Sequence, residues 1–146
     1  MTRVHHTAIC TTDLDASLAF WRDGLGLEQQ MDLPFRGDWS TLFGASGDEL
    51  RAVFLGDPSE RDSGIVELVM IPSGMQPPRD TRAPAQGFLL ISLFCDLEGS
   101  LARLAELGLA EDLRRIEVHG VAMATVRDPN GVLVELVDVA NVRMPD

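Results

Sequence analysis

Apolar and polar positions fall into a pattern that changes period several times along the chain. Residues 4–10 read as a strand, and from Asp13 the spacing lengthens: Leu14, Leu18 and Trp21 recur at helical intervals within Asp-Leu-Asp-Ala-Ser-Leu-Ala-Phe-Trp-Arg-Asp. Asp13 is the expected N-cap, and Gly24 and Gly26 are placed to end the helix. Residues 27–31, 40–43, 50–55 and 65–71 then read as short strands separated by turn residues. Pro72, Pro77, Pro78 and Pro84 among polar neighbours disfavour both helix and central strand, which predicts a linker over residues 72–86. Beyond it the pattern restarts. Residues 88–94 read as a strand, and Asp96 caps a helix carrying Leu97, Leu101, Leu104 and Leu107, which Gly108 stops. Residues 116–118, 121–126 and 132–139 supply further strands, with Asp128-Pro129-Asn130-Gly131 as a turn between the last two.

The restart is a repeat. Asp13-Leu14-Asp15-Ala16-Ser17-Leu18-Ala19 lies over Asp96-Leu97-Glu98-Gly99-Ser100-Leu101-Ala102 with an offset of 83 residues, and five of the seven positions are identical. A capped amphipathic helix draws on few residue types, so that match alone decides little. The closing strands decide it: Val66-Glu67-Leu68-Val69 recurs as Val134-Glu135-Leu136-Val137 in the same order relative to helix and turns. The expected organisation is a single domain over residues 1–146, with module one over 1–71, the linker over 72–86 and module two over 87–146.

Composition narrows the chemistry. A formal charge of −11 argues against a nucleic-acid partner, whose phosphates are met by clustered Lys and Arg. All 12 basic residues are Arg, which removes Schiff-base lysines and the P-loop lysine, and Tyr is absent. No apolar run approaches the roughly 20 residues that span a bilayer, and residues 1–6 lack a signal-peptide core, so no membrane partner and a cytoplasmic location are expected. Cys10 and Cys95 sit in apolar stretches without metal-site spacing and are expected to be buried free thiols.

Glu67 and Glu135 stand out among the polar residues. Each lies mid-strand in phase with apolar neighbours, Ile65 and Val69 in one case and Leu133 and Val137 in the other. If that face is buried, a carboxylate there needs a partner, and a metal ion or an Arg is the usual one; if it is the open side of a sheet, the Glu is merely solvated. His6 shares phase with Val4 and Ala8, and His5 with Thr7 and Ile9, so one of the two must face inward. A histidine converging with two carboxylates gives an N/O ligand set acceptable to Zn, Ni, Co, Mn or Fe. His119, followed by Gly120, is a rim acid-base candidate or a surface turn residue. Trp39, Phe35 and Phe43 lie in or beside the irregular segment 34–39, where they either flank a pocket or pack the loop down.

Two segments carry a family resemblance: His-His-Thr-Ala-Ile-Cys-Thr-Thr-Asp-Leu-Asp-Ala-Ser-Leu-Ala-Phe-Trp-Arg-Asp-Gly-Leu-Gly-Leu over residues 5–27, and Arg-Asp-Pro-Asn-Gly-Val-Leu-Val-Glu-Leu over residues 127–136. They resemble the vicinal oxygen chelate superfamily of glyoxalases, bleomycin resistance proteins and extradiol dioxygenases. The resemblance implies an α+β fold of two βαβββ modules from internal duplication, with a curled mixed sheet around a central pocket. It also implies metal ligands on the first and last strands of each module, which carry over to His6, Glu67 and Glu135, the same residues then being catalytic. The fourth ligand position does not match: the offset of 83 takes His6 to Leu89, which cannot donate to a metal and becomes part of the expected substrate-binding set with Trp39, Phe43 and His119. Relatives are often dimers, so a homodimer is expected.

The expected function is a glyoxalase- or epimerase-like lyase or isomerase, metal-assisted through an incomplete ligand set, moving a proton next to a carbonyl of a small oxygenated metabolite. Two other readings stand beside it. One is a non-catalytic binding and resistance protein, favoured by Leu89 and by the charge; the other is a metal-free isomerase or cyclase using the same residues as acid and base.

Overall fold

The computed structural model describes residues 1–78 and 83–141. The chain divides into two compact units, Met1–Pro78 and Arg79–Asp146, and the division falls inside the expected linker. The first unit runs β1 (His6–Cys10), α1 (Leu14–Leu18) with a wider helical turn over Ala19–Gly24, β2 (Glu28–Arg36), α2 (Trp39–Phe43), β3 (Glu49–Gly56) and β4 (Ile65–Met70). The second runs β5 (Ile91–Cys95), α3 (Leu97–Glu106), β6 (Arg114–Val118), β7 (Val121–Arg127) and β8 (Leu133–Asp138).

Each unit forms one four-stranded mixed sheet, ordered β1-β4-β3-β2 in the first and β5-β8-β7-β6 in the second. In both, the opening strand pairs parallel with the closing one and the other ladders are antiparallel. Identical strand order and sense give the repeated sequence blocks a structural counterpart: an α+β fold of duplicated modules.

Why the helix blocks repeat is visible in their buried hydroxyls. Asp13 and Asp96 cap α1 and α3, accepting from the backbone N–H of Ala16 and Gly99. Ser17 and Ser100 are fully buried, and such a hydroxyl needs a partner. Thr11 Oγ1 lies 2.9 Å from Ser17 Oγ, and the Cys95 thiol plays the matching part for Ser100. Asp128 holds the other repeated landmark. Its carboxylate accepts from the backbone N–H of Asn130 (2.8 Å) and of Val132 (2.9 Å), folding the turn that launches β8.

One face of the first sheet carries the core. Ile9, Val53, Leu55, Val66 and Leu68 are buried there, and the helical segment contributes Leu18, Phe20, Trp21 and Leu25. In the second sheet Ala124, Val126, Val134 and Leu136 are buried in the same way, together with Leu97 and Leu104 of α3.

Two expectations are corrected. Residues 40–43, read as a strand, lie in the helix α2: Asp38 Oδ1 accepts from the Thr41 N–H at 3.1 Å, and Gly44 closes the other end at φ 76°. Caps at both ends outweigh the β propensity of Thr41 and Phe43. Cys10, expected to be buried, is exposed, and Cys95 is half-buried; both are free thiols. Cys10 is in phase with Ala8 rather than with Ile9, so it leaves the face that the helix covers. β2 also runs through Pro34, which an edge strand accommodates because the missing N–H need not meet a neighbour.

Candidate functional site

The site is built on the face of the first sheet opposite α1. Ladder register places Ala8 and Phe54 opposite Glu67, Ala52 opposite Val69, and Leu50 opposite Phe35, so these side chains share that face. His6 joins them two residues before Ala8. With Trp39, Leu42 and Phe43 of α2, all of these but Ala52 line a cavity of about 510 Å³, every lining residue of which belongs to the first unit. Its floor is the cluster of Leu50, Ala52 and Val69, against which Trp39 and Phe54 pack.

At one side of this apolar cavity sits a hydrogen-bonded chain of titratable groups. His6 Nε2 lies 2.9 Å from Glu67 Oε2, with the His6 side chain 40% and the Glu67 side chain 14% exposed. His6 Nδ1 lies 2.8 Å from His5 Nδ1. A carboxylate accepts and does not donate, so the Nε2 of His6 carries the shared hydrogen; in the neutral imidazole Nδ1 then accepts, which makes His5 Nδ1 the donor. Phe54 stacks on the His6 ring at 5.7 Å and 29°, and His5 meets Phe54 edge-on at 6.2 Å. Packing and hydrogen bonds together fix the imidazole and leave Glu67 Oε1 without a protein partner among the described residues.

Aromatic residues form the opposite wall. Trp39 and Phe43, one helical turn apart, stack at 5.7 Å and 16°. The Trp39 indole N–H donates to the Phe35 carbonyl at 3.4 Å. A Cβ on Gly37 would come within 3.0 Å of the Trp39 ring, so glycine there lets the indole lie against the backbone.

Of the residues singled out from sequence, His6, Glu67, Trp39 and Phe43 are brought together here. Glu135, Leu89 and His119 belong to the second unit. Glu135 is half-buried on β8 and accepts a hydrogen bond from Ser92 Oγ at 2.8 Å. His119 and Gly120 form the two-residue turn of the β6–β7 hairpin, with φ of 50° and 78° as a type I′ turn requires. The ladders revise one equivalence: Ala8 pairs with Glu67 and Ser92 with Glu135, an offset of 84 residues, so His6 answers to Leu90 rather than to Leu89. One residue fewer separates strand and helix in the second unit, which is why the helix offset of 83 misplaces the strand by one. Either way a leucine stands where a ligand would be needed.

Sequence reading names Phe35 beside Trp39 and Phe43 and His5 as the alternative to His6, and misses Leu42, Leu50 and Phe54. Phase along β3 groups Leu50, Ala52 and Phe54, but which partner strand they face depends on register. His5 was assigned to the opposite face by alternation, which does not apply because β1 begins at His6.

The divalent metal implied by the resemblance needs three or four donors. Among the described residues no three His, Cys, Asp or Glu side chains group into such a set. In the cavity the two donors present are spent on each other, and the second nitrogen of His6 is spent on His5. Within the first unit the donors that reach the cavity, His6 and Glu67, fall short of the three that a divalent cation needs.

Partial desolvation by its neighbours pushes the thiol of the exposed Cys10 up from its ordinary range, and the Glu67 carboxylate adds to the shift. A raised thiol carries less thiolate at pH 8, so Cys10 is expected to alkylate slowly with iodoacetamide. Glu67→Gln is expected to speed that reaction about threefold, the effect of removing one partly screened charge. Peptide-resolved mass spectrometry of the alkylation time course measures it, and an unchanged rate would mean that no negative charge faces the thiol.

The comparisons agree with this architecture. The family model described as the Glyoxalase/Bleomycin resistance protein/Dioxygenase superfamily matches residues 3–136. The lactoylglutathione lyase-like protein terB of Aspergillus terreus is 34% identical over 145 residues, covering 92% of this chain and 74% of that protein. A glyoxalase family protein from Bacillus cereus superposes with a TM-score of 0.73 at 19% identity, covering 94% of both chains. The trypanothione-dependent glyoxalase I of Leishmania major superposes at 0.65 with 24% identity, covering 94% of this chain and 87% of that one. At those identities the superpositions speak for the fold, while the family model and the Aspergillus relative carry the assignment: this chain belongs to the Glyoxalase/Bleomycin resistance protein/Dioxygenase superfamily.

Proposed function

We propose that this chain is a metal-independent enzyme of the isomerase, lyase or cyclase type, moving a proton at the carbon next to a carbonyl, with Glu67 as general base. The observation that carries the reading is the His6–Glu67 pair at the wall of an apolar cavity. In the step proposed, the C–H bond of the substrate breaks, its proton passes to Glu67 Oε1, and the electron pair moves into the enolate. The proton then returns to the same carbon or to a neighbouring one. The Nε2–H of His6 donates to Oε2 and holds the carboxylate toward the substrate; Phe54 and His5 keep the imidazole in place.

A second reading is sequestration without chemistry, which the Trp39–Phe43 stack, with Phe43 exposed and Trp39 half-buried, favours. One experiment separates the two. Protein purified without a poly-His tag and treated with EDTA is incubated in D2O with 2-tetralone, a flat ketone with acidic α-hydrogens, and deuterium uptake is followed by proton NMR. Uptake above the buffer rate is expected, unchanged within twofold by EDTA or by added Zn, Ni, Co, Mn or Fe. Uptake that collapses with EDTA and returns with one metal would sink the metal-independent reading; binding without uptake would support sequestration.

A further inference from the structure

The name of the Aspergillus relative raises a glutathione adduct as the compound this cavity takes. Charge decides against it. Such an adduct carries two carboxylates and one ammonium, and no Arg is among the residues that line the cavity, where the acidic side chain is that of Glu67. Taking an anion out of water costs several kcal/mol unless a cation or a set of donors meets it, and a net charge of −11 on the chain opposes approach of an anionic ligand. Volume does not discriminate, since about 510 Å³ admits either a tripeptide adduct or a fused-ring aromatic compound.

The shape of the lining discriminates further. Trp39 and Phe43 present two near-parallel rings at 16°, held by the helix caps of α2 and by the indole bond to Phe35. Phe54 offers a third ring, already stacked on His6. A flat π-system sliding between Phe54 and the Trp39–Phe43 shelf would bring its edge to Glu67, since Phe54 and Glu67 are cross-strand partners.

We infer that the ligand of this cavity is an uncharged, planar aromatic or fused-ring compound bearing an oxygen, taken up between the Trp39–Phe43 shelf and Phe54, and not a peptide–thiol adduct. This deepens the proton-transfer reading, because the bound compound is its substrate, yet binding is measured without turnover. Isothermal titration calorimetry at pH 7 compares 2-naphthol, the planar relative of the 2-tetralone enol, with S-hexylglutathione. The expected result is a dissociation constant for 2-naphthol at least tenfold below that for S-hexylglutathione. Trp39→Ala should weaken 2-naphthol at least tenfold, while Trp39→Phe, which keeps a ring in the shelf, stays within threefold of the parent; circular dichroism verifies that both variants fold. Equal or tighter binding of S-hexylglutathione, no measurable heat from 2-naphthol, or an affinity indifferent to Trp39→Ala would overturn the inference. Glu67→Gln is expected to lose exchange into 2-tetralone while still binding 2-naphthol; a parent protein that binds 2-naphthol but exchanges no 2-tetralone indicts the chemistry, and a parent that exchanges yet binds S-hexylglutathione more tightly indicts the ligand assignment.

Discussion

Glu67→Gln is expected to lower deuterium uptake into 2-tetralone by roughly a thousandfold, the middle of the range for removal of a positioned general base. Glutamine keeps the volume of the side chain, and its carbonyl oxygen can accept the hydrogen that His6 Nε2 gives to Oε2 at 2.9 Å in the parent. What it removes is the second oxygen's capacity to take a proton. The fold should be indifferent, since the residue lines the cavity rather than packing among the buried side chains under α1. His6→Gln, by contrast, should leave the carboxylate in place but free to turn, and a loss of about tenfold in kcat with a smaller change in KM is expected for a residue that positions the base. Both rates come from the decay of the α-proton signal in D2O. If Glu67→Gln stays within threefold of the parent, the dyad is not the base and the proposed chemistry fails.

The parts of this molecule legible in its sequence are those fixed by local period and by repetition. Capped helices at Asp13 and Asp96, the turn at Asp128 and the paired Val-Glu-Leu-Val strands each announce themselves through residues adjacent in the chain, and all four stand in the structure. Where the reading slipped, the deciding contact lay outside the window. Residues 40–43 look like a strand until the caps on both flanks are weighed. His5 looks as if it faces away from His6 until β1 is seen to start two residues later than expected.

The site follows the same division. His6, Glu67, Trp39 and Phe43 could be singled out by type and phase, whereas Phe54 reaches His6 through two ladders whose register no single strand contains. The one-residue slip that makes Leu90 the counterpart of His6 is of the same kind: helix and strand keep different offsets, and a single offset carried across both misnames the position. The duplication thus locates the site and also shows its asymmetry. The first sheet pairs its glutamate with a histidine, and the second pairs its glutamate with the hydroxyl of Ser92.

Trp21→Ala is expected to cost about 3–5 kcal/mol, the usual range for emptying a large aromatic site in a core. Trp21 and Phe20 are neighbours in sequence and both are 0% exposed, which an ideal helix does not favour, since successive side chains point about 100° apart. The turn over Ala19–Gly24 reconciles them. Leu25 N–H reaches back five residues to the Phe20 carbonyl at 3.0 Å, and the widened turn lets both rings reach the sheet, where they meet edge-on at 5.2 Å and 75°. Helical spacing in the sequence groups Leu14, Leu18 and Trp21 and leaves Phe20 off the face, so the wider turn is also what the period alone could not reveal. Removing the indole empties space bordered by Phe20 and the sheet, and the geometry of the turn leaves little scope for Phe20 to fill it. Against a total stability of order 5–15 kcal/mol, the loss should lower the melting temperature by on the order of 10 °C. Trp39 fluorescence follows the first unit in this variant, because both tryptophans belong to it. A shift below about 3 °C would mean that Phe20 alone sustains the core and that the widened turn is not there to bury a pair.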